Sequence, residues 1–165
     1  MLLTEEVPQQ SQETVIDVRR LVHGLRPPAL DQLGLVEAVR DFVRQKGEAK
    51  STWHVLMVDI TSSLDGLPVL PAVVEVNAYR IVLEALSNVI RHAQAERCKV
   101  KFQLEEDDLN QVVLRLQISD DGSGIPYKNR EGVSLSSMRA RAEEIGGKFT
   151  IEQRQRVHSN VVKGN

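Results

Sequence analysis

The sequence predicts a two-layer α/β sandwich, in which about three helices pack on a small mixed or antiparallel sheet. Residues 99–104 and 112–119 alternate polar and apolar side chains on either side of an acidic run, which is the pattern of a β-hairpin. A hairpin connection between these strands disfavours a doubly wound dinucleotide fold, which needs crossover helices. Residues 72–93 predict a long helix, whose inward face is Val74, Ala78, Val82, Ala85, Leu86 and Val89.

Two further helices are predicted before this one. Residues 33–45 end near Gly47 and have an apolar face formed by Leu35, Val36, Val39, Phe42 and Val43. Residues 14–25 end before two prolines and repeat apolar side chains at a 3-4-3 spacing, namely Val15, Val18, Val22 and Leu25. This seam has two interpretations: it packs on the core of this domain, or it is the end of a dimerising helix.

The other elements are shorter. Residues 53–60 predict a buried strand, and 61–71 form a loop rich in turn residues. After the hairpin, 137–145 have helical spacing that ends at Gly146 and Gly147. Residues 148–152 predict a last short strand.

The composition fits one ordinary domain of 165 residues, with 41% hydrophobic residues. The formal charge of −2 gives no global field for nucleic acid or an anionic membrane, and 4% aromatic residues argue against a base-stacking surface. The single Cys98 cannot form an internal disulfide. No apolar run has the length of a membrane span, and the first residues lack a basic signal-peptide region. We therefore expect a soluble, cytoplasmic domain.

Three polar residues of the long helix follow one another at i, i+4 spacing: Glu84, Asn88 and His92. A solvated helix face is the ordinary explanation. Asn88 argues against it, since asparagine is a poor helix former and gains nothing on an open helix surface. As a ligand, its amide oxygen suits Mg²⁺, Glu84 could take a proton from a nucleophile, and His92 or Arg91 could meet phosphate oxygens.

The second candidate site is the run DDGSG at residues 120–124, which closes the second hairpin strand. It is either a simple tight turn or a place where a nucleotide base approaches the backbone. A dinucleotide fingerprint would need glycine where Tyr127 stands, there is no P-loop, and the spacing does not fit an EF-hand. Asp120 would then accept a hydrogen bond from an exocyclic amino group such as that of adenine.

Three segments resemble the ATP-binding catalytic domain of sensor histidine kinases. The run EALSNVIRHA at 84–93 is similar to the N box, DDGSG to the G1 box, and GVSLSSMRARAEEIGG at 132–147 to the G2 box and its helix. Residues 17–40 resemble the junction that joins dimerisation helices to the catalytic domain in the subfamily paired with LuxR/NarL-type response regulators. The resemblance runs from about residue 15 to residue 152.

The resemblance implies a Bergerat-type fold that binds ATP and Mg²⁺. By it, Asn88 coordinates Mg²⁺, Glu84 acts as base or polarises the attacking imidazole, and Asp120 binds adenine. Residues 125–137 would form the ATP lid. The nucleotide-binding set that it implies is Asn88, His92, Asp120, Gly122, Gly124, Ile125, Gly132, Leu135 and Met138.

The resemblance also implies a domain division and partners. Residues 1–28 would be the end of a dimerisation helix and a linker, and 29–165 the catalytic domain. Its partners would be the phosphoacceptor helices of a homodimeric parent kinase and a LuxR/NarL-type response regulator. Neither nucleic acid nor membrane contact is expected of this segment, whether or not the parent is anchored in a membrane.

The chain departs from the family pattern in three ways. No histidine is followed by an acidic residue, as a phosphoacceptor would be; these are His23, His54, His92 and His158. Ser134 replaces the second glycine of the usual GxGL motif, and Ser134, Ser136 and Ser137 are equally good helix N-caps. The family's closing G-T-x-V strand has only a weak echo at 159–162. A degenerate nucleotide-binding module and an autonomous ATPase therefore stand as alternatives to the kinase.

Overall fold

The computed structural model describes residues 26–48, 56–63, 70–106, 108–124 and 132–152. Its elements in chain order are helix α1 (Pro28–Glu48), strand β1 (Met57–Ser62), helix α2 (Ala72–Asn88), a π turn that continues α2 (Val89–Ala93), strands β2 (Arg97–Glu106) and β3 (Val112–Asp120), and helix α3 (Val133–Glu144). The predicted helix at 14–25 lies outside the described residues.

The three strands form one mixed sheet in the order β1, β2, β3. β1 runs parallel to β2, with Met57 opposite Arg97, and β3 runs antiparallel to β2, with Cys98 opposite Asp120. The predicted hairpin and the two-layer α/β sandwich are therefore confirmed.

The core lies between one face of this sheet and the helices α1 and α2. Alternate residues of β2 are buried while their neighbours are exposed, as expected for a sheet with one solvated face. The largest fully buried side chains come from β2, α2 and α1, and are Phe102, Val100, Cys98, Leu86, Val82, Leu30 and Val39. Burial of such a side chain contributes about 1.5–3 kcal/mol, so this contact fixes α2 across the sheet.

An ion-pair cluster anchors the start of α1 to α2. Arg26 Nη2 lies 2.6 Å from Glu75 Oε2, in the first turn of α2, and Arg26 Nε lies 2.5 Å from Asp31 Oδ1. The hydrogen bond to Glu75 is the main cause that raises the pKa of Arg26 above its ordinary value. The segment that leads into α1 is thereby held against α2, the helix that carries Glu84 and Asn88.

Several element boundaries differ from the sequence prediction. α1 begins at Pro28 and is interrupted at Gly34, whose φ of 74° lies in the left-handed region that glycine favours. β1 spans Met57–Ser62, while residues 53–55 lie outside the described residues. β1 is not fully buried, because one face of the sheet is open and its residues alternate in exposure.

The end of the chain shows the clearest difference. α3 begins at Val133, four residues before the prediction, and ends as predicted, since the amides of Gly146 and Gly147 donate to carbonyl oxygens of its last turn. The predicted strand at 148–152 is wrong: these residues do not pair with the described sheet. The guanidinium of Arg139 instead stacks over Phe149, 5.4 Å from the ring centre, so this ring packs on α3.

No helix within the described ranges combines the length and the apolar character needed to cross a lipid bilayer.

Candidate functional site

The flank of α2 that faces α3 carries two of the predicted site residues. The buried residues Ala78, Val82 and Leu86 fix the rotation of α2 against the core. That rotation leaves Glu84 and Asn88 half-buried, one helical turn apart. Both side chains can therefore form hydrogen bonds with a polar side chain at the start of α3.

Ser134, in the first turn of α3, bridges these two residues. Asn88 Nδ2 donates a hydrogen bond to Ser134 Oγ at 2.7 Å, and the Ser134 hydroxyl donates to Glu84 Oε1. The sequence indicates Ser134 only as a departure from a motif and as one of three possible helix N-caps. Its contacts span 46 and 50 residues of chain, so no local pattern could reveal them.

The donor set fits a Mg²⁺ ion that is held largely by a ligand's phosphates. Asn88 uses its amide N–H toward Ser134, which leaves its carbonyl oxygen as a hard acceptor. No group of three metal-ligating side chains occurs in the described part of the chain. Mg²⁺ commonly takes one or two protein oxygens and completes its shell with phosphate oxygens and water.

The glycine turn, residues 120–124, packs against the end of the π turn that continues α2. The Ser123 amide donates to the carbonyl oxygen of Ala93 at 2.7 Å, and the Ser123 hydroxyl donates to the same oxygen at 3.2 Å. Ala93 is the last residue of the π turn. The two motifs that the sequence singled out are thus in direct contact at this point.

The two glycines of this turn are needed for different reasons. A Cβ at Gly122 would lie 2.7 Å from Ala93 Cβ and closer still to the Ala93 carbonyl oxygen, so a side chain does not fit. Gly124 has a φ of 77°, which strains residues with a side chain. Glycine at position 122 is therefore required by packing against Ala93. Its predicted role in shaping a nucleotide pocket stays a prediction.

The adjacent acids Asp120 and Asp121 have different surroundings. Asp121 Oδ1 accepts hydrogen bonds from the amides of Arg97, at 3.0 Å, and Glu96, at 2.9 Å. These bonds lower the pKa of Asp121, and the bond from the Arg97 amide has the largest effect. Asp120 is exposed, and its Oδ1 accepts from Gly122 within the turn at 2.9 Å. Asp121 is thus structural, whereas Asp120 is the last residue of β3, and its predicted contact with a ligand stays a prediction.

Cys98 lies in β2, directly opposite Asp120 in the strand pairing, and its side chain is buried. Burial raises the pKa of its thiol to about 12, and the charges of Asp120 and Asp121 add to the shift. The thiol is therefore neutral and buried, as expected for a structural cysteine.

The remaining predicted site residues are less closely joined. His92 is exposed on the π turn, and no hydrogen bond among the described residues links it to Glu84, Asn88 or Ser134. Gly132 is the N-cap of α3, Leu135 is half-buried and Met138 is buried. Ile125, and with it the first part of the predicted lid, lies outside the described residues.

A cleft of about 440 Å³ opens beside Glu84, between α1, α2 and α3. It shares Glu84 with the serine bridge, but Asn88 and Asp120 do not line it. Four basic side chains do: Lys46, Arg80, Arg91 and Arg141. No local sequence pattern predicts this cleft, because its cations come from α1, α2, the π turn and α3.

Comparison with known proteins assigns the class of this fold and site. The family of histidine kinase-, DNA gyrase B- and HSP90-like ATPases matches residues 73–163, and the chain belongs to this family. This range includes Glu84, Asn88, His92, the glycine turn and α3.

Its relatives include sensor histidine kinases. The chain is 35% identical over 138 residues to the signal transduction histidine-protein kinase/phosphatase UhpB of Salmonella typhimurium, covering 81% of this chain and 25% of UhpB. It is 32% identical over 146 residues to the sensor histidine kinase LiaS of Bacillus subtilis, covering 86% of this chain and 36% of LiaS. The chain thus spans a quarter to about a third of these relatives.

The fold is also found in a solved structure. The blue-light activated histidine kinase of Erythrobacter litoralis EL346 is similar with a TM-score of 0.52 at 20% identity, over 82% of this chain and 43% of that one. At this identity the likeness establishes the fold.

Proposed function

We propose that the chain is the ATP-binding catalytic domain of a two-component sensor histidine kinase. It would bind Mg-ATP and donate the γ-phosphoryl group to a histidine on a dimerisation domain. One observation carries the proposal: α2 carries Glu84 and Asn88, bridged by Ser134, on its flank, and the π turn that continues α2 contacts the glycine turn at Ala93. Membership of an ATPase family and the kinase names of the relatives support it.

The two ends of the site would have separate tasks. The Asp120 carboxylate would accept a hydrogen bond from the adenine amino group, beside a turn kept narrow by Gly122 and Gly124. The Asn88 carbonyl oxygen would hold Mg²⁺, which when bound neutralises charge between the phosphates. His92 is assigned to the phosphate side by the motif alone. Gly132, Leu135, Met138 and Ile125 are proposed to contact the nucleotide as parts of the lid and its helix.

Glu84 would serve the acceptor. An imidazole nitrogen of the acceptor histidine attacks the γ-phosphorus, the bond to the ADP oxygen breaks, and the imidazole proton passes to the Glu84 carboxylate. The cleft beside Glu84 offers a route for that imidazole, and its four basic side chains complement the acidic residue that follows such a histidine. The acceptor would belong to another segment, because no histidine of this chain precedes an acid.

The assembly is part of the same proposal. Residues 1–28 are assigned to a dimerisation helix and linker and 29–165 to the catalytic domain of a homodimeric parent that acts in the cytoplasm. A LuxR/NarL-type response regulator is proposed as the partner that receives the phosphoryl group, on the resemblance of residues 17–40 to the junction of that subfamily.

Calorimetric titration with ATP and ADP, with and without Mg²⁺, tests the binding step. We expect Mg²⁺-dependent binding by the wild type, loss of binding in Asp120→Ala, and retention of metal-free binding with loss of the Mg²⁺ effect in Asn88→Ala. Asp121→Ala is a poor control because Asp121 ties two strands together, whereas Asp108→Ala, in the hairpin tip, leaves the site intact. A folded wild type that binds no adenine nucleotide would refute the proposal.

A second function, nucleotide binding without phosphoryl transfer, is favoured by one observation: Ser134 puts a side chain between Glu84 and Asn88 where the family motif has glycine. Labelled ATP and an added phosphoacceptor domain separate the two functions. Phosphohistidine that forms with the wild type and not with Glu84→Gln supports the kinase, while nucleotide binding without any phosphohistidine supports the second function.

A further inference from the structure

The Ser134 hydroxyl forms its hydrogen bonds with another helix and not within the first turn of its own helix. It is the second residue of α3, after the N-cap Gly132 and Val133, and this helix start has no side-chain cap. Ser136, two residues later, donates its hydroxyl to the carbonyl oxygen of Val133 within the same helix. The Ser134 hydroxyl instead crosses to α2. Two serines of one helix turn thus form a natural pair of test and control.

The bridge has only one consistent direction. A carboxylate accepts hydrogen bonds and does not donate them, so the single hydroxyl proton of Ser134 goes to Glu84. The Ser134 oxygen must then accept its second bond from an N–H of Asn88. If the Asn88 amide were turned over, its carbonyl oxygen would face the Ser134 oxygen with no proton between them. That arrangement loses a hydrogen bond and adds repulsion.

We infer that Ser134 is a positioning residue, whose hydroxyl sets the orientation of the Asn88 amide and the position of the Glu84 carboxylate. With the amide nitrogen tied to Ser134, the carbonyl oxygen of Asn88 is directed away from α3 and is the atom offered to a cation. The inference rests on the proposed function and deepens it. It gives Ser134, at the glycine position of the motif, a role in orienting the two residues that are proposed to act at the phosphates.

Removal of the hydroxyl has a specific consequence. The Asn88 amide then interconverts between two orientations, only one of which offers oxygen to a cation, and Glu84 loses its donor. The adenine side depends on Asp120 and the glycine turn, which Ser134 does not contact. Ser134→Ala should therefore weaken the Mg²⁺-dependent part of nucleotide binding and leave the metal-free part unchanged.

The first experiment needs no nucleotide. The side-chain amide signals of Asn88 in a ¹H–¹⁵N spectrum of the free protein are identified by their loss in Asn88→Asp. We expect Ser134→Ala to shift both signals and to speed their exchange with water, Ser134→Thr to restore them, and Ser136→Ala to leave them in place. Asn88 signals that are the same in Ser134→Ala and the wild type would overturn the inference.

The second experiment measures ADP affinity with and without Mg²⁺. Loss of a group that orients a metal ligand commonly costs about 10-fold or more in metal affinity, so the Mg²⁺ effect should fall by about 10-fold in Ser134→Ala. Ser134→Thr and Ser136→Ala should keep it. If Ser134→Ala folds, binds ADP and retains the full Mg²⁺ effect, the positioning role is refuted while the proposed function stands. A wild type without any nucleotide binding refutes both.

Discussion

Two contacts join α2 and its π turn to the rest of the site, and different interactions hold each of them. The turn end, where residues 120–124 meet Ala93, is held by hydrogen bonds from the Ser123 amide and hydroxyl to the Ala93 carbonyl oxygen and by the lack of a side chain at Gly122. The serine end, where Ser134 meets Glu84 and Asn88, is held by three side chains. The turn end should therefore be intolerant of added volume, and the serine end intolerant of lost polar groups.

The contrast is sharpest in phosphoryl transfer, where we expect the largest effect. Glu84→Gln keeps the shape of the serine end and its acceptor oxygen but cannot take a proton. The rate of phosphohistidine formation on an added phosphoacceptor domain should fall by about 10²–10⁴-fold, the usual contribution of a general base. Quench-flow with labelled ATP measures the rate, and calorimetry should show unchanged nucleotide affinity. A variant that loses affinity and keeps its rate would contradict the assignment.

The volume limit of the turn end is tested by Gly122→Ala. The new methyl group would overlap Ala93, and overpacking of this kind costs about 1–3 kcal/mol of unfolding free energy. Urea denaturation measures the loss, and nucleotide affinity should fall with it.

Gly47→Ala is the matched control for this change. A Cβ at Gly47 meets nothing within 4 Å, and Gly47 lies in α1, where alanine is favoured over glycine by about 0.5–1 kcal/mol. Gly47→Ala should thus leave stability unchanged or raise it. Equal behaviour of the two variants would show that the contact with Ala93 does not limit the turn.

Of the two acids of the turn end, we expect Asp121 to affect stability and Asp120 to affect nucleotide binding. The lowered pKa of Asp121 means that its charged form stabilises the fold above the unfolded value of about 3.9. That contribution is lost as pH falls through the lower, folded value. Asp121→Asn should therefore unfold more easily at neutral pH and show a weaker pH dependence below about 3.9 than the wild type.

Asp120→Asn should affect binding and not folding. Its adenine-nucleotide affinity should fall, while its thermal unfolding at neutral pH should stay close to that of the wild type. Thermal unfolding monitored by circular dichroism measures the stability of both variants, and that of Asp121→Asn also across the acid range. If Asp120→Asn lost stability at neutral pH and Asp121→Asn did not, the roles of the two acids would be exchanged.

Cys98 reports on the turn end with the smallest expected effect. With its thiol pKa raised to about 12 and its side chain buried, alkylation of the native protein at neutral pH should be slow and limited by local opening. Gly122→Ala should speed alkylation, and Ser134→Ala should not, because Ser134 contacts Glu84 and Asn88 and not the glycine turn. Mass spectrometry of iodoacetamide-treated protein measures the rates. Equal acceleration by both variants would mean that the two ends open together.

Local patterns predicted the elements that carry the site. The apolar spacing of α2, the alternation of β2 and β3 and the glycines after β3 each lie within a few turns or strand residues, so periodicity and turn chemistry identify them. The prediction of a strand at residues 148–152 is wrong, because these residues do not pair with the described sheet. Pairing depends on a free sheet edge and on competing contacts, and Phe149 packs on Arg139 instead.

The sequence by itself determined the fold class, the family resemblance and the candidate residues Glu84, Asn88 and Asp120, because these follow from spacing within single elements. Only the tertiary structure decided that Asp121 holds β2, that Gly122 is required by Ala93, and that Ser134 joins two elements in a bridge. Each of these contacts links residues at least 24 positions apart in the chain. Such contacts form when packing of the core brings distant elements together, and no local pattern encodes which side chains then meet.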